Sequence, residues 1–201
     1  KKNKIFKELK LGFKTAYLDE KNEIKKANGL ISEGKLIESE NIFKKLIENG
    51  TDNPIVFGNL AAIYGLKGEK SRMINLLKKA IKIEPNYADA YSNLGVAFLD
   101  LDQINEAVVA LNKAIEIKPD YAEAYLNLGL AFSQKSNLEE AIILYKKAIS
   151  IKNNYPDAYI NLGMALLKNR EIEESIISFE KAISLEPKNP DAHSALGKAL
   201  L

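Results

Sequence analysis

Asparagine recurs at Asn59, Asn93, Asn127 and Asn161, each thirty-four positions after the last. A carboxamide carries both donors and an acceptor, so it can pair with the N–H and the C=O of an extended peptide. A regularly spaced row of them would hold main chain while tolerating many side-chain sequences. Four residues ahead, Asp89, Glu123 and Asp157 keep the same spacing and would make one edge of the row negative. Around the asparagines stand Val96, Leu130, Met164, Leu126 and Ile160. A face that only met water would be polar throughout, and contiguous apolar surface marks a contact site. The chemistry on offer is therefore binding, and the partner it suits is a protein or an extended peptide. Each column also has a structural use: acids complement a helix start, asparagines can bond neighbouring helices, and side-by-side helices cover apolar residues.

Catalytic chemistry finds no comparable set. Cysteine is absent and His193 is the single histidine, so no nucleophile–base pair, imidazole metal site or thiolate site is assembled. His193 shares its register with Tyr91, Tyr125 and Tyr159, which makes it a packing residue. The glycines recur singly rather than in a phosphate-binding loop, and the carboxylates follow the period instead of converging on a pocket. No catalytic residue, cofactor or metal is expected. The net charge of +2, from 29 basic and 27 acidic residues, gives no reason to expect nucleic acid or an anionic membrane as the partner. The one local excess is six lysines against Glu8 within residues 1–14. No apolar run approaches the roughly 18 residues of a membrane span. A cysteine-free composition fits a reducing compartment such as the cytoplasm without establishing one.

The elements that carry these columns follow from the apolar spacing. Tyr91, Leu94, Gly95 and Phe98 fall at i, i+3, i+4 and i+7, the stripe of an amphipathic helix. The pattern breaks at Leu101, Asp102 and Gln103, too briefly for more than a tight turn. It resumes through Ile104, Ala107, Leu111, Ala114 and Ile115 before Pro119 stops the helix, leaving Asp120 to cap the next one. Two helices joined this closely lie antiparallel. Gly95, Gly129, Gly163 and Gly197 sit mid-helix, at a cost of roughly 1 kcal/mol each relative to alanine. The expected reason is close approach of the second helix in the same hairpin.

Such a period means that one hairpin is stacked on the next, because a unit this short cannot bury a core alone. The expected fold is all-α: a right-handed α-solenoid, or superhelix, of stacked antiparallel helix pairs running as one array over 1–201. Residues 1–19 read as a degenerate capping helix and 20–53 as a degenerate repeat. Full repeats follow at 54–87, 88–121, 122–155 and 156–189, with 190–201 the first helix of a truncated one. Lys1 and Leu201 read as cuts in a longer chain. Leu196, Leu200 and Leu201 are then left partly uncovered, which invites self-association through the truncated helix.

Tyr91, Leu94-Gly95, Phe98, Ala107, Leu111, Ala114 and Pro119, at this period, resemble the tetratricopeptide repeat. Several columns in register carry the resemblance, strongly over 54–197 and weakly over 1–53. Tyrosine, phenylalanine or His193 stands where the family has tryptophan, and Asn153 replaces one proline. The resemblance implies first helices lining a concave groove that binds peptides or proteins without catalysis, and the asparagine row is similar to that of O-GlcNAc transferase repeat arms. Members that clamp a C-terminal carboxylate place Lys or Arg on these columns, so such a tail is not the expected ligand. The functional expectation is a non-catalytic scaffold holding an extended segment. The alternatives are the substrate-recruiting arm of a larger enzyme, such as a transferase, and a homotypic assembly module.

Overall fold

The structure is a computed structural model that describes residues 18–201. All regular elements among the described residues are α-helices, and the chain divides into two compact units, Lys1–Pro85 and Asn86–Leu201. The first unit holds α1 (18–32), α2 (Leu36–Glu48), α3 (Pro54–Leu66) and α4 (Lys70–Ile83). The second holds α5 (Ala88–Leu99), α6 (Ile104–Ile117), α7 (Ala122–Gln134), α8 (Leu138–Ile151), α9 (Pro156–Lys168), α10 (Ile172–Leu185) and α11 (Pro190–Ala199). The expected remnant unit at the start, with Ile5, Leu9 and Gly12, lies outside the described residues.

Within the second unit α5 pairs with α6, α7 with α8 and α9 with α10, and each second helix also packs on the first helix that follows. The fold is thus an α-solenoid of stacked antiparallel helix pairs. Each hairpin turns through one residue of left-handed backbone. Gly34 and Gly68 hold that position in the first unit (φ 75° for both), and Asp102, Ser136 and Arg170 hold it in the second (φ 58°, 61° and 65°). The reversal lets a backbone N–H reach back over the helix end, as Gln103 N–H does to the Phe98 carbonyl at 2.8 Å, which satisfies acceptors the helix leaves open.

The small columns do what close packing requires. A Cβ on Gly95 would lie 2.5 Å from Leu111 Cγ, one on Gly129 2.5 Å from Tyr145 Cε1, and one on Gly163 2.6 Å from Phe179 Cε1. The side chains met belong to the second helix of the same hairpin. Ala80, Ala114, Ala148 and Ala182 are fully buried, as are Ala107 and Ala141. Tyr91, Tyr125, Phe98 and Phe132 pack against the cluster of Ala107, Leu111, Ala114, Ala124, Leu128 and Leu144.

Two local expectations fail. Asp120 does not cap α7: the cap position is Tyr121, with no side-chain cap bond, because the turn after Pro119 takes one residue more before helical dihedrals begin. His193 is exposed, its Nε2 2.9 Å from the Pro187 carbonyl oxygen. The column that partly buries Tyr91 and Tyr125 needs a second helix alongside, and none follows α11 within the 201 residues. Leu200 and Leu201 are exposed for the same reason.

In the first unit the Glu40 carboxylate, 6% exposed, accepts from Lys44 Nζ at 2.7 Å and from Lys67 Nζ. The Lys44 and then the Lys67 hydrogen bond hold its pKa down to about 2, against the opposing effect of burial. A depressed carboxylate stabilises fully above its ordinary value of 4.5 and loses that contribution as pH falls through about 2. Glu40→Gln should therefore cost about 1–2 kcal/mol at pH 7, since both lysines keep access to water. The difference from the parent should shrink in melts taken between pH 4.5 and 2; an unchanged difference would discount the two ion pairs.

Candidate interaction face

The stripe on each first helix that packs into the hairpin leaves the opposite side for the candidate columns. In the second unit α5 and α7 touch, as do α7 and α9, so these sides form one continuous face. Asp89, Glu123 and Asp157 open α5, α7 and α9 and are exposed. Among the described residues none of the three carboxylates enters an ion pair. Asn93, Asn127 and Asn161 follow one turn later, all half-buried. Val96, Leu130 and Ile160 are half-buried and Met164 is 36% exposed.

Leu126 does not belong to this accessible face. It is 7% exposed and packs with Tyr155, Ala158 and Leu162, because the next first helix lies directly over it. Ser92, at the same register, is 3% exposed. On α5, α7 and α9 only Ile160 of that column keeps partial access, so there the column serves mainly to join neighbouring first helices. Leu130 also packs against the Leu126 cluster while remaining partly accessible.

The asparagines are not equivalent. Asn59, in the first unit, donates from Nδ2 to Asn28 Oδ1 at 2.8 Å, and Asn161 donates to the Asp157 carbonyl at 2.8 Å. Neither Asn93 nor Asn127 has a hydrogen bond from its side chain to another described residue. The carboxamides of Asn93 and Asn127 are thus the ones with their bonding capacity unspent.

Tyrosines complete the acidic edge. Tyr87, Tyr121 and Tyr155 also recur every thirty-four residues, each just before its first helix. Burial and then the Asp89 carboxylate push the Tyr121 phenol well above its usual range, and burial with Asp89 raises that of Tyr87. Burial, then Glu123 and Asp157, push Tyr155 to about 12. Lys118 Nζ stands 4.4 Å from the Tyr121 ring centroid and Lys152 Nζ 4.3 Å from that of Tyr155, a cation over an aromatic face. The spacing alone could have revealed this column; the approach of Tyr121 and Tyr155 to the acids that open the preceding first helices could not be read from it.

Among the described residues no group of three or more His, Cys, Asp or Glu could hold a metal, and no helix is long and apolar enough to cross a membrane. The open cleft of about 820 Å³ in the second unit is floored by Tyr91, Leu94 and Phe98 and walled by α6. None of the predicted site residues lines it.

Comparison with known proteins bears on the whole arrangement. A family profile described as TPR repeat matches residues 74–102, 97–136 and 131–169, and profiles described as tetratricopeptide repeat match 156–189 and 56–87. The crystal structure of MamA is 30% identical over 81% of this chain and 95% of its own, with a TM-score of 0.70. TTC0263, described as a thermophilic TPR protein in Thermus thermophilus, is 20% identical over 90% and 98% of the two chains, with a TM-score of 0.76. YrrB, described as a TPR protein with an unusual peptide-binding site, is 22% identical over 90% and 96%, with a TM-score of 0.67. No curated protein sequence matches the chain. With hairpins in register, glycines pressed against the second helix, and profile matches that together run from 56 to 189, the chain belongs to the tetratricopeptide repeat family.

Proposed function

We propose that this chain is a non-catalytic scaffold that binds a protein by holding an extended segment of it along the face of α5, α7 and α9. The observation that carries the reading is the pair Asn93 and Asn127, half-buried on α5 and α7 of that face with no side-chain partner among the described residues. A polar side chain partly withdrawn from water is stabilised by any ligand that offers both N–H and C=O, and extended main chain does so at every residue. Val96, Leu130 and Met164 lie one turn further along and give side chains of the segment apolar contact, while Asp89, Glu123 and Asp157 favour a ligand that is not itself acidic. Family membership and the peptide-binding description of YrrB support this assignment of function.

A photo-crosslinker placed at Val96 tests it. Proteins captured from the native lysate should crosslink there through a short contiguous segment, and Leu130→Glu should reduce the yield at least tenfold, the effect of one charge opposed to an apolar contact. A partner that crosslinks equally well in the Leu130→Glu protein is held elsewhere, and the proposal fails.

A further inference from the structure

The second helices of the second unit carry an apolar row of their own. Val109, Ile143 and Ile177 recur every thirty-four residues and are 71%, 59% and 64% exposed. On α6, Val109 stands two residues from the buried Ala107 and two from the buried Leu111. At 100° per residue that places it on the side away from the hairpin core. Ile143 and Ile177 hold the same place on α8 and α10. Packing within the unit therefore has no use for these side chains, each of which stands exposed on its own helix.

The charges beside the row repeat as well. Three residues before each apolar position stands Glu106, Glu140 or Glu174, and four residues after it Lys113, Lys147 or Lys181. Each hairpin thus offers the same triad along its second helix: acid, aliphatic, base. None of the three glutamates is in an ion pair among the described residues, whereas Lys113 Nζ already stands 2.8 Å from Glu116 Oε1 of its own helix, an exposed pair open to exchange. The first unit lacks the pattern, having Arg72, Asn75 and Lys79 at the matching positions of α4.

We propose that this face pairs with the same face of a second copy of the chain, about a two-fold axis running along the Val109–Ile143–Ile177 row. Rotation about that axis sets each second helix antiparallel to its own counterpart. The aliphatic rows then meet, and Glu140 of one copy faces Lys147 of the other while Lys147 faces Glu140, with Glu106–Lys113 and Glu174–Lys181 repeating the exchange on α6 and α10. An isologous interface requires a surface complementary to itself, and a triad with opposite charges on either side of an apolar centre meets that condition. A two-fold across the row would instead oppose like charges. The apolar row is short, so the association is weak and concentration-dependent. It is separate from the α5–α7–α9 face and from the exposed Leu200 and Leu201.

Sedimentation velocity of the full chain across roughly 1 µM to 1 mM tests the pairing. A monomer–dimer equilibrium is expected. Ile143 sits at the axis, so Ile143→Glu sets two like charges against each other and should weaken dimerisation at least tenfold. Reversing one band, Glu140→Lys with Glu174→Lys, should weaken it; adding Lys147→Glu with Lys181→Glu should restore it. Because the chain has no cysteine, Ile143→Cys should form a disulfide-linked dimer on mild oxidation, and Asn75→Cys should not. All these positions are exposed or half-buried, and circular dichroism checks that each variant is folded. A chain that stays monomeric to the top of the series, or a dimer indifferent to Ile143→Glu and to the charge reversals, overturns the proposal.

Discussion

Gly129→Ala is expected to destabilise the protein by about 2 kcal/mol, while Gly197→Ala stabilises it by about half that. A methyl on Gly129 would lie 2.5 Å from Tyr145 Cε1 and 2.7 Å from Cδ1. Tyr145 is 1% exposed, so the ring has nowhere to go, and overpacking this tight costs about 3 kcal/mol, the upper end of the usual range. The gain in helix propensity, about 1 kcal/mol, offsets part of that. At Gly197 nothing lies within 4 Å of the added methyl, so only the propensity gain remains, reduced by the nearby helix end. Thermal melts followed by circular dichroism should show Gly129→Ala lowered by about 4–8 °C and Gly197→Ala raised slightly. Equal shifts of the same sign would mean that close approach within the hairpin is not why glycine stands in this column.

The largest functional effect is expected from Asn93→Ala combined with Asn127→Ala. If each carboxamide gives a bound segment one or two main-chain hydrogen bonds, worth about 1 kcal/mol apiece net, the pair contributes about 2–4 kcal/mol, a loss of roughly 30- to 850-fold in affinity. Stability should barely change, because neither side chain has a partner to lose among the described residues. Asn161→Ala gives the contrast, its carboxamide already bonded to the Asp157 carbonyl, and should weaken binding less than either of those substitutions alone. Calorimetry against the crosslinked segment, run beside melts of the same proteins, separates the two roles. Lower melting temperatures with unchanged affinity would make Asn93 and Asn127 structural.

These two predictions draw on the sequence to different depths. The glycine column was legible as a packing device from its recurrence, because a repeated cost in helix propensity demands a repeated reason. What it pressed against was not, since Leu111, Tyr145 and Phe179 share a register but differ in shape. The asparagine row was equally visible, but its four members looked alike. Which of them keeps its bonding capacity depends on whether a neighbour such as Asn28 comes within reach, or whether the side chain folds back on its own helix as at Asn161. Leu126 went astray for a related reason. A helical wheel separates the stripe that faces the hairpin partner from the rest, but it does not say how far the adjacent first helix reaches around.

The amino-acid sequence by itself determined the helix pairs, their period and the buried columns, because each depends on spacing along one helix and on residue type. Tertiary structure alone decided that Leu126 and Ser92 are covered, that Asn93 and Asn127 are unpartnered among the described residues, that His193 is exposed, and that the Tyr121 and Tyr155 phenols stand beside the carboxylates that open the preceding first helices. Those outcomes depend on how successive helices meet. Contacts between residues about thirty-four apart are set by packing, which no single helix's periodicity encodes.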